Sequence, residues 1–220
     1  MIIAIDGPAG AGKSTVAKIV AQKLGLLYID TGAMYRAITL KALLKGVDIN
    51  DEKTLVAMAR GSRIELRYLP TGLRVYLDNK DVTKQIRDPK VTKIVSEVSQ
   101  IVPLRKIMVR LQRRLAKEHK GAVLEGRDIG TVVFPNADYK FYLDANLKER
   151  IKRRFKELKQ AGKNITLKEV EADILKRDRI DSMRSYAPLK KAEDAIYIDT
   201  TPLNIEQVAG KILSYIKKNN

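Results

Sequence analysis

The stretch "GPAGAGKST", Gly7 to Thr15, has the residue types and spacing to hold a chain of phosphates. It matches G-x-x-x-x-G-K-[ST], with Gly7, Gly12, Lys13 and Ser14 at the named positions and Pro8, Ala9, Gly10 and Ala11 between the outer glycines. Glycines let backbone N–H groups converge on phosphate oxygens. A helix opening at Lys13 would add the positive end of its dipole. Lys13 would neutralise β/γ charge and the Ser14 hydroxyl, with Thr15 beside it, would face the phosphates and could ligate Mg²⁺. A glycine-rich turn before an ordinary helix is the plain alternative. The flanks argue against it: the apolar, β-branched "IIAID" reads as a buried strand, and "KSTVAKIVAQKLG" carries Val16, Ile19, Val20 and Leu24 at helical spacing before Gly25. Nucleoside triphosphate binding is the expectation.

Four other stretches carry charges that could do chemistry. "IDTGAMYR" (Ile29–Arg36) has the Asp-Thr-Gly of an aspartic protease loop, yet it sits in an α/β pattern and lacks the second loop such a pair needs. Asp30 or Thr31 could simply cap the next helix, whereas Arg36, on its first turns, is harder to explain as a cap. "EGRD" (Glu125–Asp128) could be a solvated loop ion pair, and "KRDRIDSMR" a charged helix face. "RKIMVRLQRRLAKEHK", from Arg105, is a basic amphipathic helix that could face RNA or a membrane.

Composition removes several classes of function. The chain has no cysteine, so thiolate chemistry and disulfides are excluded, and its one histidine, His119, ends a basic helix and gets no catalytic role. A single histidine also leaves no base for a Ser-His-Asp triad and no His-cluster metal site. Neither D-x-x-G nor N-K-x-D occurs, so guanine specificity has no support. A motor would be expected to show a Walker B aspartate, where "AVLEGRD" offers Glu125. The formal charge of +17 points to an anionic partner, while aromatics at 5% and the absence of tryptophan give little platform for nucleic-acid bases. The opening "MIIAIDGPAG" has neither a basic leader nor an apolar stretch of signal or span length, about 7 to 20 residues. A cytoplasmic protein is expected.

These residues need elements to position them. "LLYID", "GAVLEG", "YKFYLDA" and "AIYID" read as further strands separated by helical patterns, among them "GAMYRAITLKALLKG". The alternation predicts an α/β fold with a doubly wound parallel sheet. Two regions break it. Residues 63–83 alternate with period two, Ile64, Leu66 and Tyr68 against Leu73, Val75 and Leu77 around "PTG", predicting an antiparallel hairpin within an inserted lobe at 60–100. Residues 147–184 read as two charged helices about Gly162, a candidate mobile insert in one 220-residue domain.

Taken jointly, "DGPAGAGKST", "DTGAMYR", "EGRDIGTVVFP", "RDRIDSMRSYAPL" and the hairpin insert resemble the cytidylate kinase family of nucleoside monophosphate kinases, over essentially the whole chain. The resemblance implies a P-loop kinase with the hairpin lobe binding the monophosphate and residues 147–184 as a lid. It implies ATP with Mg²⁺ as donor and CMP or dCMP as acceptor, in a monomer with no membrane or nucleic-acid partner. Cytosine would be read by Ser96, Arg105 and Asp128, the carboxylate accepting the exocyclic N4 hydrogens. The α-phosphate would be held by Arg36, Arg127 and Arg184, with Asp181 and Arg177 near the ribose and Thr31 and Tyr35 in the same substrate set. Lys13, Arg154, Arg177 and Arg184 form the expected catalytic set, with Arg150 and Arg153 as further arginine candidates.

Overall fold

The computed structural model describes residues 1–69, 72–119 and 121–219. In chain order the elements begin with β1 (Ile2–Asp6), α1 (Lys13–Leu24), β2 (Leu27–Asp30), α2 (Thr31–Leu44), α3 (Glu52–Arg60), β3 (Ile64–Leu69), β4 (Gly72–Leu77) and β5 (Lys80–Asp81). They continue with α4 (Pro89–Val98), α5 (Val102–Glu118), β6 (Ala122–Gly126), β7 (Tyr139–Asp144), α6 (Leu147–Gln160), α7 (Leu167–Met183), β8 (Ile196–Asp199) and α8 (Ile205–Lys218). Two short turns complete the path, a 3₁₀ turn at Gln85–Arg87 and a π-type turn at Ile129–Val133. The chain divides into two compact units: Met1–Tyr28 with everything from His119 onward, and Ile29–Glu118.

The first unit is built on a five-stranded sheet of order β2-β6-β1-β7-β8. β1 pairs in parallel with both β6 and β7, and β7 with β8, as expected of strands joined through helices. Covered on both sides, β1 can be apolar along its length, and Ile3, Ala4 and Ile5 are wholly buried. Phe141 of β7 meets the ring of Tyr215 of α8 edge to face at 5.9 Å, so this helix packs on the sheet through aromatic contact. α1 turns Val16, Ala17, Val20 and Ala21 inward and ends at Gly25, whose left-handed φ of 65° closes the helix.

Among its described residues the second unit holds a three-stranded antiparallel sheet, β3-β4-β5, and the helices α2 to α5. Ile64 faces Leu77, Leu66 faces Val75 and Tyr68 faces Leu73, the register that period-two alternation predicts. The turn expected at Pro70 and Thr71 lies outside the described residues. β5 adds a third strand that a two-residue segment could not announce. α2 is buried on almost every side, from Ala33 and Met34 to Ile38 and Leu40, which makes it the centre of this unit rather than a surface helix. Asp30 is its N-cap, accepting from Ala33 N–H at 2.8 Å, so Thr31 is the first helical residue and not the cap. Among the described residues no helix is long and apolar enough to cross a membrane.

Candidate active site

β1 runs out at Asp6 and the chain must turn sharply to enter α1. Gly7 has φ 147°, and a Cβ there would lie 1.9 Å from the Leu143 carbonyl oxygen, so only glycine lets the loop pass over β7. Gly10 and Gly12, with φ 78° and 88°, hold the left-handed backbone that aims successive N–H groups into one concavity. Gly12 supplies no side-chain cap to α1, whose first N–H groups are therefore left for a ligand.

Charged groups crowd beneath this loop. Lys13 is buried and its Nζ donates to the Pro8 carbonyl at 2.7 Å, folding the side chain across the loop. Burial, with Arg127 nearby, pulls the Lys13 pKa down to about 7, partly offset by Glu125, Asp6 and Asp181. Asp6 is buried as well and accepts from the N–H groups of Ile129 at 2.9 Å and Gly130 at 2.7 Å, pinning the π-type turn to β1. Burial outweighs those two hydrogen bonds and lifts its pKa to about 7. Glu125, at the end of β6, gathers two hydroxyls, Ser14 Oγ at 2.5 Å and Tyr28 Oη at 3.2 Å.

The donor set suits Mg²⁺. A hydroxyl beside a buried carboxylate supplies hard oxygens, and Mg²⁺ keeps several waters instead of needing a full protein cage. Among the described residues there is no cluster of three or more His, Cys, Asp or Glu that could hold a metal, so Ser14 and Glu125 are the groups on hand.

A second charged network lies in the same unit. Asp181 of α7 accepts from Arg127 Nε at 2.8 Å and from Arg184 Nη1 at 3.3 Å, and Arg184 Nη2 stands 3.6 Å from Asp128 Oδ1. Asp128, Asp181 and Arg184 are all buried, which rules out the solvated readings of "EGRD" and of the end of "KRDRIDSMR". Arg127 pairs with Asp181 and not with its neighbour Asp128. The "SYAPL" segment locks the arrangement: the Ala187 carbonyl accepts from Arg184 Nε at 2.5 Å, and Leu189 N–H returns to the Asp181 carbonyl at 2.7 Å. Arg177 pairs with Asp173 one turn back, and Arg154 with Glu157, so both are held along their own helices. Arg153 reaches the Thr200 carbonyl at 2.6 Å, while Arg150 turns to the glycine loop.

In the second unit Arg36 is buried and donates to Thr92 Oγ1 at 2.7 Å and to the Ile86 carbonyl at 3.2 Å, which fixes its guanidinium. Tyr35 and Thr31 are buried beside it on α2. Arg105 is 1% exposed, donates to the Ser99 carbonyl at 3.0 Å and lies 5.3 Å from the Tyr35 ring centroid. It is therefore no part of the basic outer face of α5. Ser96 stands half-buried on α4, its carbonyl accepting from Ser99 Oγ.

Sequence reasoning gave no role to Asp6, Tyr28 or Asp178. Asp6 had a signal, a carboxylate closing an apolar strand immediately before the loop. Tyr28 and Asp178 had none, since their partners are distant along the chain.

Comparison with known proteins agrees with this geometry. The family model for cytidylate kinase matches residues 3–218. A cytidylate kinase of Clostridioides difficile is 50% identical over 216 residues, 98% of each chain, and one of Halalkalibacterium halodurans is 54% identical over 218 residues, 99% of this chain and 98% of that one. Among solved structures, shikimate kinase from Acinetobacter baumannii, in complex with shikimate, superposes with TM-score 0.50 at 16% identity, covering 100% of this chain and 94% of that chain, a likeness of fold. A five-stranded parallel core with a glycine loop, a separate antiparallel sheet and a near full-length match place this chain in the cytidylate kinase family.

Proposed function

We propose that the protein transfers the γ-phosphoryl group of MgATP to CMP or dCMP, giving ADP and CDP or dCDP. The observation that carries this reading is the glycine loop, shaped for phosphates by backbone sterics, in a chain of this family. The acceptor is a phosphate whose second pKa is about 6, so it is mostly ionised near neutral pH and needs no general base. The task left to the protein is alignment and neutralisation of charge.

Lys13 would leave the Pro8 carbonyl for the β and γ oxygens. Ser14, with Glu125 behind it, would hold Mg²⁺, which when bound supplies charge neutralisation between the β- and γ-phosphates. Arg127 and Arg184, oriented by Asp181, suit a monophosphate through planar paired donors; the assignment of Arg36, fixed by Thr92, to the same phosphate rests on the family resemblance. The assignment of Ser96, Arg105 and Asp128 to the base, and of Arg177 and Asp181 to the ribose, rests on the family resemblance. Asp128 suits cytosine by accepting from N4, where uracil would present a second acceptor. Arg154 and Arg177 are candidates to approach the transferring group if residues 147–184 close as a lid, which would also exclude water. A monomer in the cytoplasm, where both nucleotides occur, completes the reading.

A coupled assay of ADP formation with each monophosphate in turn tests it. Turnover should be highest with CMP or dCMP, and turnover with UMP but not CMP would overturn the cytosine assignment. Asp128→Ala should impair use of CMP far more than binding of ATP.

A further inference from the structure

α6 and α7 bury little apolar surface. The buried residue of α6 is Arg150, and α7 buries Val170, Ile174 and Asp181. What holds this charged pair against the glycine loop is a polar clasp on one residue, Ala9, through the two peptide groups on either side of it. Arg150 Nη1 donates to the Ala9 carbonyl at 3.1 Å, and the Ala9 N–H donates to Asp178 Oδ1 at 3.4 Å. The clasp closes on itself, because Arg150 Nη1 also donates to Asp178 Oδ2 at 2.5 Å. Arg150 is anchored in turn by Nε donating to the Ala145 carbonyl at 3.0 Å. The backbone confirms how close the fit is: a Cβ on Gly10 would stand 2.9 Å from the Arg150 carbonyl oxygen and 3.0 Å from its Cβ.

Both polar groups of Ala9 are thus gripped from outside the loop, one by each helix. The two peptide planes flanking Ala9 set the backbone entering Gly10, and with it the direction of the N–H groups that follow. We propose that Asp178 is a positioning residue for ATP: acting with Arg150 on Ala9, it fixes the phosphate loop in its receptive shape and makes no contact with the nucleotide. The inference rests on the reading of Gly7–Thr15 as the ATP phosphate site. It gives a purpose to a residue inside a charge run whose neighbours, Arg177 and Asp181, have other partners.

The test is steady-state kinetics of wild type, Asp178→Ala and Asp178→Asn, varying ATP and CMP separately, with thermal melting of each. Losing hydrogen bonds that involve a charged group corresponds to about a tenfold change. Asp178→Ala should raise the KM for ATP about tenfold while the KM for CMP stays within about twofold. Asp178→Asn retains an acceptor for the Ala9 N–H and should recover part of the loss, and it carries the comparison by itself if the alanine variant does not fold. A KM for ATP that is unchanged, or that rises in step with the KM for CMP, overturns the proposal whatever the melting shows. If wild type itself forms no ADP with CMP, the function has failed, and direct titration of the same proteins with ATP still decides the role of Asp178.

Discussion

The glycine loop and the helical pair α6–α7 belong to the same compact unit and touch at Ala9, yet they are held by different physics. The turn from β1 into the loop is set by sterics, apart from the charged clasp on Ala9: Gly7 has no space for a Cβ, and α1 behind it buries Val16, Ala17, Val20 and Ala21. The helical pair is set by charge, through Arg150 with Asp178, Arg127 with Asp181, and Arg184 with Asp181 and Asp128. Steric constraint gives a shape that survives changes of salt and pH. Charge pairing gives contacts that a polyanion can compete for.

The largest effect should come from breaking the steric side. Gly7→Ala places a Cβ 1.9 Å from the Leu143 oxygen at a φ of 147°, and should abolish ATP binding or folding, read by nucleotide titration and melting. On the charged side, Asp181→Ala removes the carboxylate that Arg127 and Arg184 share and should cost about 3 kcal/mol in a denaturant titration, with CMP use lost alongside. Lys13→Gln should leave the fold intact and lower kcat by about a hundredfold or more in the coupled assay.

Asp6 gives a pH test. Its pKa is lifted by burial from 3.8 to about 7, so the folded state binds more protons than the unfolded state between those values. The stability it contributes is present below the unfolded value and declines as pH rises through about 7. The melting temperature of wild type should therefore fall relative to that of Asp6→Asn as pH rises across that window, and a relative rise would contradict the burial argument. The smallest effect belongs to Glu157→Ala, which removes the exposed partner of Arg154 and should change stability by less than about 0.5 kcal/mol.

What could be read from the chain follows the same division. Backbone-driven features were legible: "IIAID" is β1 to the residue, the glycines mark the loop, and alternation set the register of β3 against β4. Features made by charge across distance were not. Arg150 and Asp178 lie 28 residues apart in stretches where more than half of the residues are charged, and nothing local marks the pair that meets. Arg105 is intermediate. It shares a helical stripe with the buried Leu104, Met108, Val109 and Gln112, so spacing alone could have removed it from the basic surface.

The most direct measurement of the central claim follows the phosphorus itself. With ATP labelled at the γ position and an excess of CMP, the account predicts that the label appears in the β-phosphate of CDP, in step with ADP. Label found only as inorganic phosphate, at a rate indifferent to CMP, would contradict it.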